Sequence, residues 1–437
     1  MSQRAANRSR RIFFSAGEPS GDLHAANLIR ELRRADPSIE CFGYGGPRMQ
    51  EAGCRLEANT TAMAVMWFLK VLLNLHKFWE LYKRADRIFA AERLDAVVLI
   101  DYPGFNWWIA RCARQHDVPV FYYCPPQVWA WARWRMKKMR RLVDHVLCGL
   151  PFERKWYADH GCRAVLVGHP FVDEVRERVL DHEFIAQIQR DQQPLITLLP
   201  GSRTQELDHN LRLMLRAAKR VQLHVPETRL ALACVSDEHA RTARQAVAAA
   251  GIEAEVHAGR TPELIHAATC CMAVSGSVSL ELLCHAKPTV IVYQVSRTGY
   301  AAQHVMRKVR YITLVNLLAS DDALAPRTRA SERGAGAPEA QLFPEYLTWR
   351  DCSEQMAAHV VRWLTDEPLR AACVRGLHAL REELPGGAAR AAAEYIMAEI
   401  TDAGHPIPSP HWDAAATSAT RHSTTPGAAH AGPLDDG

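Results

Sequence analysis

Two loops of this chain carry the residue types that hold an anion. "LITLLPGSR" runs an apolar strand into Pro200, Gly201 and Ser202, delivers Arg203, and leads into a long helical pattern. Backbone N–H groups at a glycine turn and a helix start suit an anion. The guanidinium of Arg203 adds a charge that does not titrate away. "AVSGSVSLE" repeats the arrangement: a strand, then Ser275, Gly276 and Ser277, then a helix with Glu281 about one turn in. Two such loops fit a diphosphate, with Glu281 able to accept bonds from a ribose. Either loop alone reads as a plain turn. The chain contains no Asp-x-Asp triplet. No metal is therefore expected on the diphosphate, and Arg203 with the helix dipoles would supply the positive charge.

A carboxylate stands where proton transfer could occur. Asp101 ends the wholly apolar run Val97 to Ile100, at the sheet edge where α/β proteins place catalysis. Its task there would be to take a proton from an attacking hydroxyl. The alternative is a cap on a helix beginning near Phe105. "SAGEPSGD" (Ser15 to Asp22) puts two glycines between a strand and a helix without matching the dinucleotide fingerprint. It reads as a tight turn with Ser20 or Asp22 at the helix start. Equally, it reads as a cleft-facing loop in which Glu18 or Asp22 contacts a sugar acceptor.

Two stretches carry surface chemistry. "VWAWARWRMKKMRRL" (Val128 to Leu142) has six basic residues between Arg133 and Arg141, interleaved with or preceded by Trp129, Trp131 and Trp134. Nucleic acid, an anionic membrane and plain solvent all suit such a helix. "AVMWFLKVLLNLHKFWELYKR" (Ala64 to Arg84) has too many large apolar residues for one core-facing stripe, including Met66, Trp67, Phe68 and Leu69. Exposed apolar groups beside lysines suit lipid contact or a subunit interface.

The elements that must position these residues follow from patterning. Apolar strands such as "RIFFSAG", "AVVLIDYPGFN", "LITLLPGSR" and "CCMAVSGS" alternate with helices in both halves. That alternation predicts parallel sheets covered by helices, as two Rossmann-like domains facing a cleft. At 437 residues the chain is long enough for two cores. The expected division is 1–170, a linker over 171–192, and 193–403, with an insertion loop over 320–341 and a disordered tail over 404–437. Hydrophobic content of 48%, charged content of 23% and a net charge of +5 (53 − 48) suit a soluble chain with no need of nucleic acid. No apolar run is long enough to span a bilayer, and the run after the N-terminal arginines is too short for a secretion signal. Cytoplasm is the expected compartment. The twelve cysteines include no C-x-x-C pair, which predicts buried, reduced thiols rather than disulfides or a zinc site.

Taken in order, "AGEPSGD", "GYGGPRMQEAGC", "MAVM", "DYPGFN", "PPQVWAWARWRMKKM", "LPFERKWY", "VGHP", "LLPGSRTQE", "SGSVSLE" and "LVNLLA" resemble the lipid A disaccharide synthase family over roughly residues 11 to 400. The resemblance implies a metal-free fold of the glycosyltransferase B type and no cofactor. It implies an inverting transfer of diacylglucosamine from UDP to the 6-hydroxyl of diacylglucosamine 1-phosphate (lipid X), giving the β-1,6 disaccharide and UDP. By motif, Asp101 would be the base. Arg203, Ser202, Gly201, Glu206, Ser275, Gly276, Ser277, Glu281 and Asn316 would surround the UDP-sugar, and Glu18, Ser20 and Asp22 the acceptor. Acyl or membrane contact would fall to Met66, Trp67, Phe68, Leu69, Trp129 and Trp131, on the inner face of the cytoplasmic membrane. A homodimer is compatible with the family. The chain departs from the family pattern at Gly104, where a second carboxylate is usual, and at Trp67 and Lys70. Two other classes fit parts of the pattern. One is a different UDP-sugar transferase of this fold, such as the peptidoglycan enzyme acting on lipid I, which lacks "VWAW". The other is a non-catalytic membrane-surface protein, which would have no use for Asp101, Arg203 and Glu281 together.

Overall fold

The computed structural model describes residues 9–62, 75–324 and 341–401. Seven strands form the first sheet: β1 (Arg11–Ala16), β2 (Glu40–Gly45), β3 (Arg55–Asn59), β4 (Ala96–Ile100), β5 (Val120–Tyr123), β6 (His145–Cys148) and β7 (Ala164–Leu166). All pairings are parallel, in the order β3-β2-β1-β4-β5-β6-β7. Six strands form the second: β8 (Leu195–Leu199), β9 (Arg229–Cys234), β10 (Glu255–Ala258), β11 (Cys270–Ala273), β12 (Thr289–Gln294) and β13 (Glu345–Thr348). It too is parallel, in the order β10-β9-β8-β11-β12-β13. The central strands read as continuous apolar runs because both faces are covered. Every residue of β4 and of β8 is buried.

Strand order reverses between β1 and β4 and again between β8 and β11. At such a switch point the loops leaving the two strands diverge and open a crevice at their carboxyl ends. The register aligns Ala16 with Ile100 and Leu199 with Ala273. The loops leaving these four strands are "SAGEPSGD", "DYPGFN", "LPGSR" and "SGSVSLE". The fold therefore gathers the sequence motifs in two crevices.

Three features were not legible from local pattern. The strand β13 (EYLT) follows Pro344 and lies beyond residues 325–340, and its only claim to a sheet is pairing with β12. The last helix, Ala388–Thr401, buries Ala392, Ala393 and Ile396 in the first domain's core, beside Ile29 of the Pro19–Ala35 helix. The expected second domain of 193–403 thus sends its final helix back to the first. The linker region is built rather than loose: helices Pro170–Glu177 and His182–Ile188 bury Val172, Val175 and Ile188 in a core of the second domain.

Residues Met66, Trp67, Phe68 and Leu69, most of the 320–341 insertion and the 404–437 tail lie outside the described residues. All twelve cysteines are free thiols, and nine are buried. No helix of the described residues is long and apolar enough to cross a membrane.

Candidate active site

Asp101 closes β4 in an uncommon backbone state. It and Tyr102 have φ of 44° and 45°, the left-handed region that costs a non-glycine residue about 1–3 kcal/mol. Surrounding bonds hold it there. The Asn106 amide donates to the carbonyls of Asp101 (2.8 Å), Ile100 (3.2 Å) and Ser15 (3.3 Å), and its oxygen accepts from Ser15 Oγ at 2.7 Å. Tyr122 Oη donates to the Asp101 carbonyl at 2.7 Å. Gly17 leaves room for the Tyr102 ring, since a Cβ there would meet ring carbons at 2.2 Å. The helix after this turn runs Pro103–Gln115 with Tyr102 as its N-cap, so Asp101 is not the cap. Burial pushes the Asp101 carboxyl up to about 6, and the charge of Glu18 adds to the rise. Gly104 opens onto free space, with no atom within 4 Å of a built Cβ.

The acceptor-side expectations divide. Glu18, the N-cap of the Pro19–Ala35 helix, and Ser20 in its first turn are both exposed. Asp22 is buried, and its carboxylate accepts from the backbone N–H of Gly46 (2.9 Å), Met49 (3.0 Å) and Arg48 (3.1 Å). It anchors the Pro47–Glu51 turn after β2 to the Pro19–Ala35 helix. That is a correction to its expected place at the acceptor, and the cause is burial: three amide donors already occupy its oxygens.

A cavity of about 640 Å³ opens between the domains. The first domain contributes Gln127, Trp129, Trp131 and His169. The second contributes Arg203, Ser275, Gly276, Ser277, Tyr293 and Tyr311. Gly201, with φ of 119°, makes the turn that a side chain would oppose, and Ser202 beside it is exposed. Arg203, which lines this cavity, is the N-cap of the 21-residue Thr204–His224 helix, whose unpaired first amides follow it in the chain. The Glu206 side chain lies outside the described residues. Ser275 Oγ donates to the Ile312 carbonyl at 2.6 Å and fastens the two walls of the cavity. His169 is half-buried, and desolvation lowers its pKa to about 4, with the nearby His24 adding to the effect.

Glu281 and Asn316 do not reach this cavity wall. Glu281 is buried and ion-paired with Arg178 at 2.5 Å; burial raises its carboxyl. The Asn316 amide donates to Glu345 Oε2 (3.0 Å) and the Phe343 carbonyl (2.7 Å), while its oxygen accepts from Phe343 N at 3.1 Å. With donors and acceptor all engaged inside the protein, Asn316 is a corrected expectation: it shapes the pocket from behind. Glu345 is the centre of that network. It also accepts from Ile312 N (2.7 Å), Thr313 N (3.1 Å) and Thr313 Oγ1 (2.9 Å). Sequence reading missed Glu345 because it belongs to the unrecognised β13. It saw Asn106 only as a motif letter.

Trp129 is only 1% exposed. Its Nε1 donates to Glu153 at 3.0 Å, and Phe152 meets its ring edge-on. It has no face for a bilayer and is a cavity wall instead, which corrects its expected membrane role. Trp131, 42% exposed, stands at the same wall. Of the basic run, Arg133 donates to the Trp129, Lys308 and Leu324 carbonyls, so it ties the domains together. Met136, Met139 and Leu142 face inward, which leaves Lys137, Lys138, Arg140 and Arg141 outward. Trp134, 66% exposed, stands on this run with the Arg135 guanidinium over its ring, and a second group of exposed aromatic residues lies on another pair of helices. Trp79 (49% exposed), Tyr82 and Trp108 (50% exposed) form a cluster with ring centroids 5.2–6.4 Å apart, and Lys83 sits over the Trp79 ring.

Comparison with known proteins agrees with this geometry. Solved structures superpose over nearly the whole chain at low identity. A UDP-N-acetylglucosamine 2-epimerase homologue from Listeria monocytogenes has a TM-score of 0.58 at 11% identity, covering 91% of this chain and 97% of its own. The calicheamicin glycosyltransferase CalG4 gives 0.55 at 14%, covering 91% and 100%. These likenesses establish the glycosyltransferase B architecture. Among sequences, the lipid-A-disaccharide synthase of Geobacter sulfurreducens is 32% identical over 393 residues, 90% of this chain and 97% of the relative. That of Anaeromyxobacter dehalogenans strain 2CP-C is 35% identical over 390 residues, 88% and 96%. The family model for lipid-A-disaccharide synthetase matches residues 12–334, a span that holds the loops of both crevices, and the chain belongs to that family.

Proposed function

We propose that the cleft between the two sheets joins a UDP-linked diacylglucosamine to the 6-hydroxyl of diacylglucosamine 1-phosphate. The chain is a glycosyltransferase that forms the lipid A disaccharide; the assignment of residues to steps is our reading. The supporting observation is the cavity whose wall combines Trp129 and Trp131 with Arg203 and the Ser275–Ser277 loop. The diphosphate lies against Arg203 and the first amides of the Thr204–His224 helix. The acceptor hydroxyl approaches from the first domain. Asp101 takes its proton as the oxygen attacks the anomeric carbon, and the bond from that carbon to the diphosphate breaks on the opposite face. One displacement inverts the centre, so an α-linked donor gives a β-linked product. Burial keeps Asp101 basic enough to accept the proton near neutral pH.

Both substrates carry acyl chains, and Trp79, Tyr82 and Trp108 with Lys83 offer an aromatic and basic surface to a bilayer. We place the chain at the membrane surface through that cluster. UDP release measured with acylated and with deacylated acceptor tests the function. Release that needs the acylated acceptor and yields a disaccharide by mass spectrometry is expected. Equal turnover with a soluble acceptor would point to another UDP-sugar transferase.

A further inference from the structure

A second cluster of chemically capable side chains lies along the helix that follows Asp101. Cys112 and His116 are four residues apart at the end of the Pro103–Gln115 helix and share a face. Asp86, on the Leu75–Ala91 helix, meets them from across the helix pair. His116 Nε2 is 2.8 Å from Asp86 Oδ1, and Cys112 Sγ is 3.8 Å from the same oxygen. The three ligand atoms lie within 4.8 Å of one another. Cys112 is fully buried, whereas the side chains of His116 (23% exposed) and Asp86 (49%) open the site to water. The His116 ring rests edge-on against Phe89, which fixes its direction.

We propose that Asp86, Cys112 and His116 bind a zinc ion, with water as the fourth ligand, clipping the two helices together. One thiolate, one imidazole and one carboxylate make the mixed donor set that zinc accepts in a tetrahedron. With metal bonds of about 2.0–2.3 Å, the ligand atoms of such a site stand about 3.3–3.6 Å apart. The two separations from Asp86 Oδ1, 2.8 and 3.8 Å, bracket that range. Binding replaces the thiol proton of Cys112, which leaves to solvent. Cys112 is nine residues past Pro103, about 14 Å along the helix. The ion therefore braces structure and has no contact with the sugar diphosphate. The braced pair of helices carries Trp79, Tyr82 and Trp108.

The test uses the full-length chain, stripped with a chelator and titrated with cobalt(II) and then zinc(II). One cobalt per chain is expected, with a sulfur-to-cobalt charge-transfer band that zinc removes, and a higher melting temperature with zinc. Cys112→Ser should lose the band, while Cys162→Ser, at a partly exposed thiol elsewhere, should keep it. His116→Gln retains every thiol and should lose both the one-to-one uptake and the zinc-dependent rise in melting temperature, so a poorly folding Cys112→Ser protein does not decide the matter. A parental chain that takes up no stoichiometric metal overturns the proposal. So does a band that survives in Cys112→Ser, which would mark adventitious binding at other thiols.

Discussion

Asp101→Asn should make the protein slower and, at neutral pH, more stable. In the parental chain the carboxyl is moved from its ordinary 3.8 up to about 6, first by burial and then by Glu18. Between those values the folded chain holds a proton that the unfolded chain has released. Stability therefore falls as pH rises through this window, and the full deficit is present above about 6. At about 1.4 kcal/mol per pH unit, the displacement amounts to about 3 kcal/mol. Asparagine keeps the shape, has no charge to desolvate, and tolerates the left-handed backbone found at this position. Urea unfolding near pH 8 should then show Asp101→Asn up to about 3 kcal/mol more stable than the parent, with the gain shrinking as the pH is lowered toward 4. In a UDP-release assay the same protein should lose about 10²–10⁴ in kcat/KM. The parental kcat/KM should fall as the pH drops through about 6, and Glu18→Gln should move that limb lower by removing the like charge. Near-parental turnover, or a stability difference that ignores pH, would refute the assignment.

Arg203→Ala should weaken UDP binding and slow turnover together, and Arg203→Lys should recover only part because the planar fork is gone; isothermal titration with UDP and steady-state kinetics check both. Asn106→Ala removes the donor to three buried carbonyls and should cost about 1–3 kcal/mol in urea unfolding, with a larger fall in kcat than in UDP affinity. Glu345→Ala unfastens Ile312, Thr313 and Asn316 and should raise the Kd for UDP while Asp101 keeps its pH limb. Replacing Trp79 and Trp108 by Ser should reduce sedimentation with anionic vesicles and leave UDP binding intact; unchanged sedimentation would remove this cluster from the membrane contact.

The parallel sheets and their loops were readable because each needs only a short local pattern: an apolar run, a glycine turn, a helix. Asp101, Arg203 and Ser275–Ser277 could be chosen for the same reason. What a polar side chain does once folded is a different question. Asp22 looked like a cleft ligand, but its carboxylate receives amides 24 to 27 residues away. Asn316 looked like a pocket residue, but its partners are Phe343 and Glu345, just before and at the start of a strand that local pattern does not reveal. Trp129 looked like one of three surface tryptophans until Glu153 and Phe152 enclosed it. The carboxylate that meets Cys112 and His116 is on another helix, so their four-residue spacing gave no signal by itself.

The chain passes between its two domains more than once, and this bears on how it comes apart. Lys308 N donates to the Ala130 carbonyl at 2.9 Å, and Val309, Leu317 and Ala323 pack in the same apolar cluster as Phe13 and Trp129. On another side, the Ala388–Thr401 helix lies in the first domain's core, after Gly387 and Ala388 donate to the Asp173 carboxylate. Each sheet is thus completed by residues that the other half of the chain supplies. A protease cut in the 178–181 connection would leave two fragments still associated, since neither has its whole apolar core. Heat or urea should melt both sheets in one coincident step, and an isolated 1–170 fragment, lacking the final helix, should expose Ile29 and Leu32 and fail to fold as a unit.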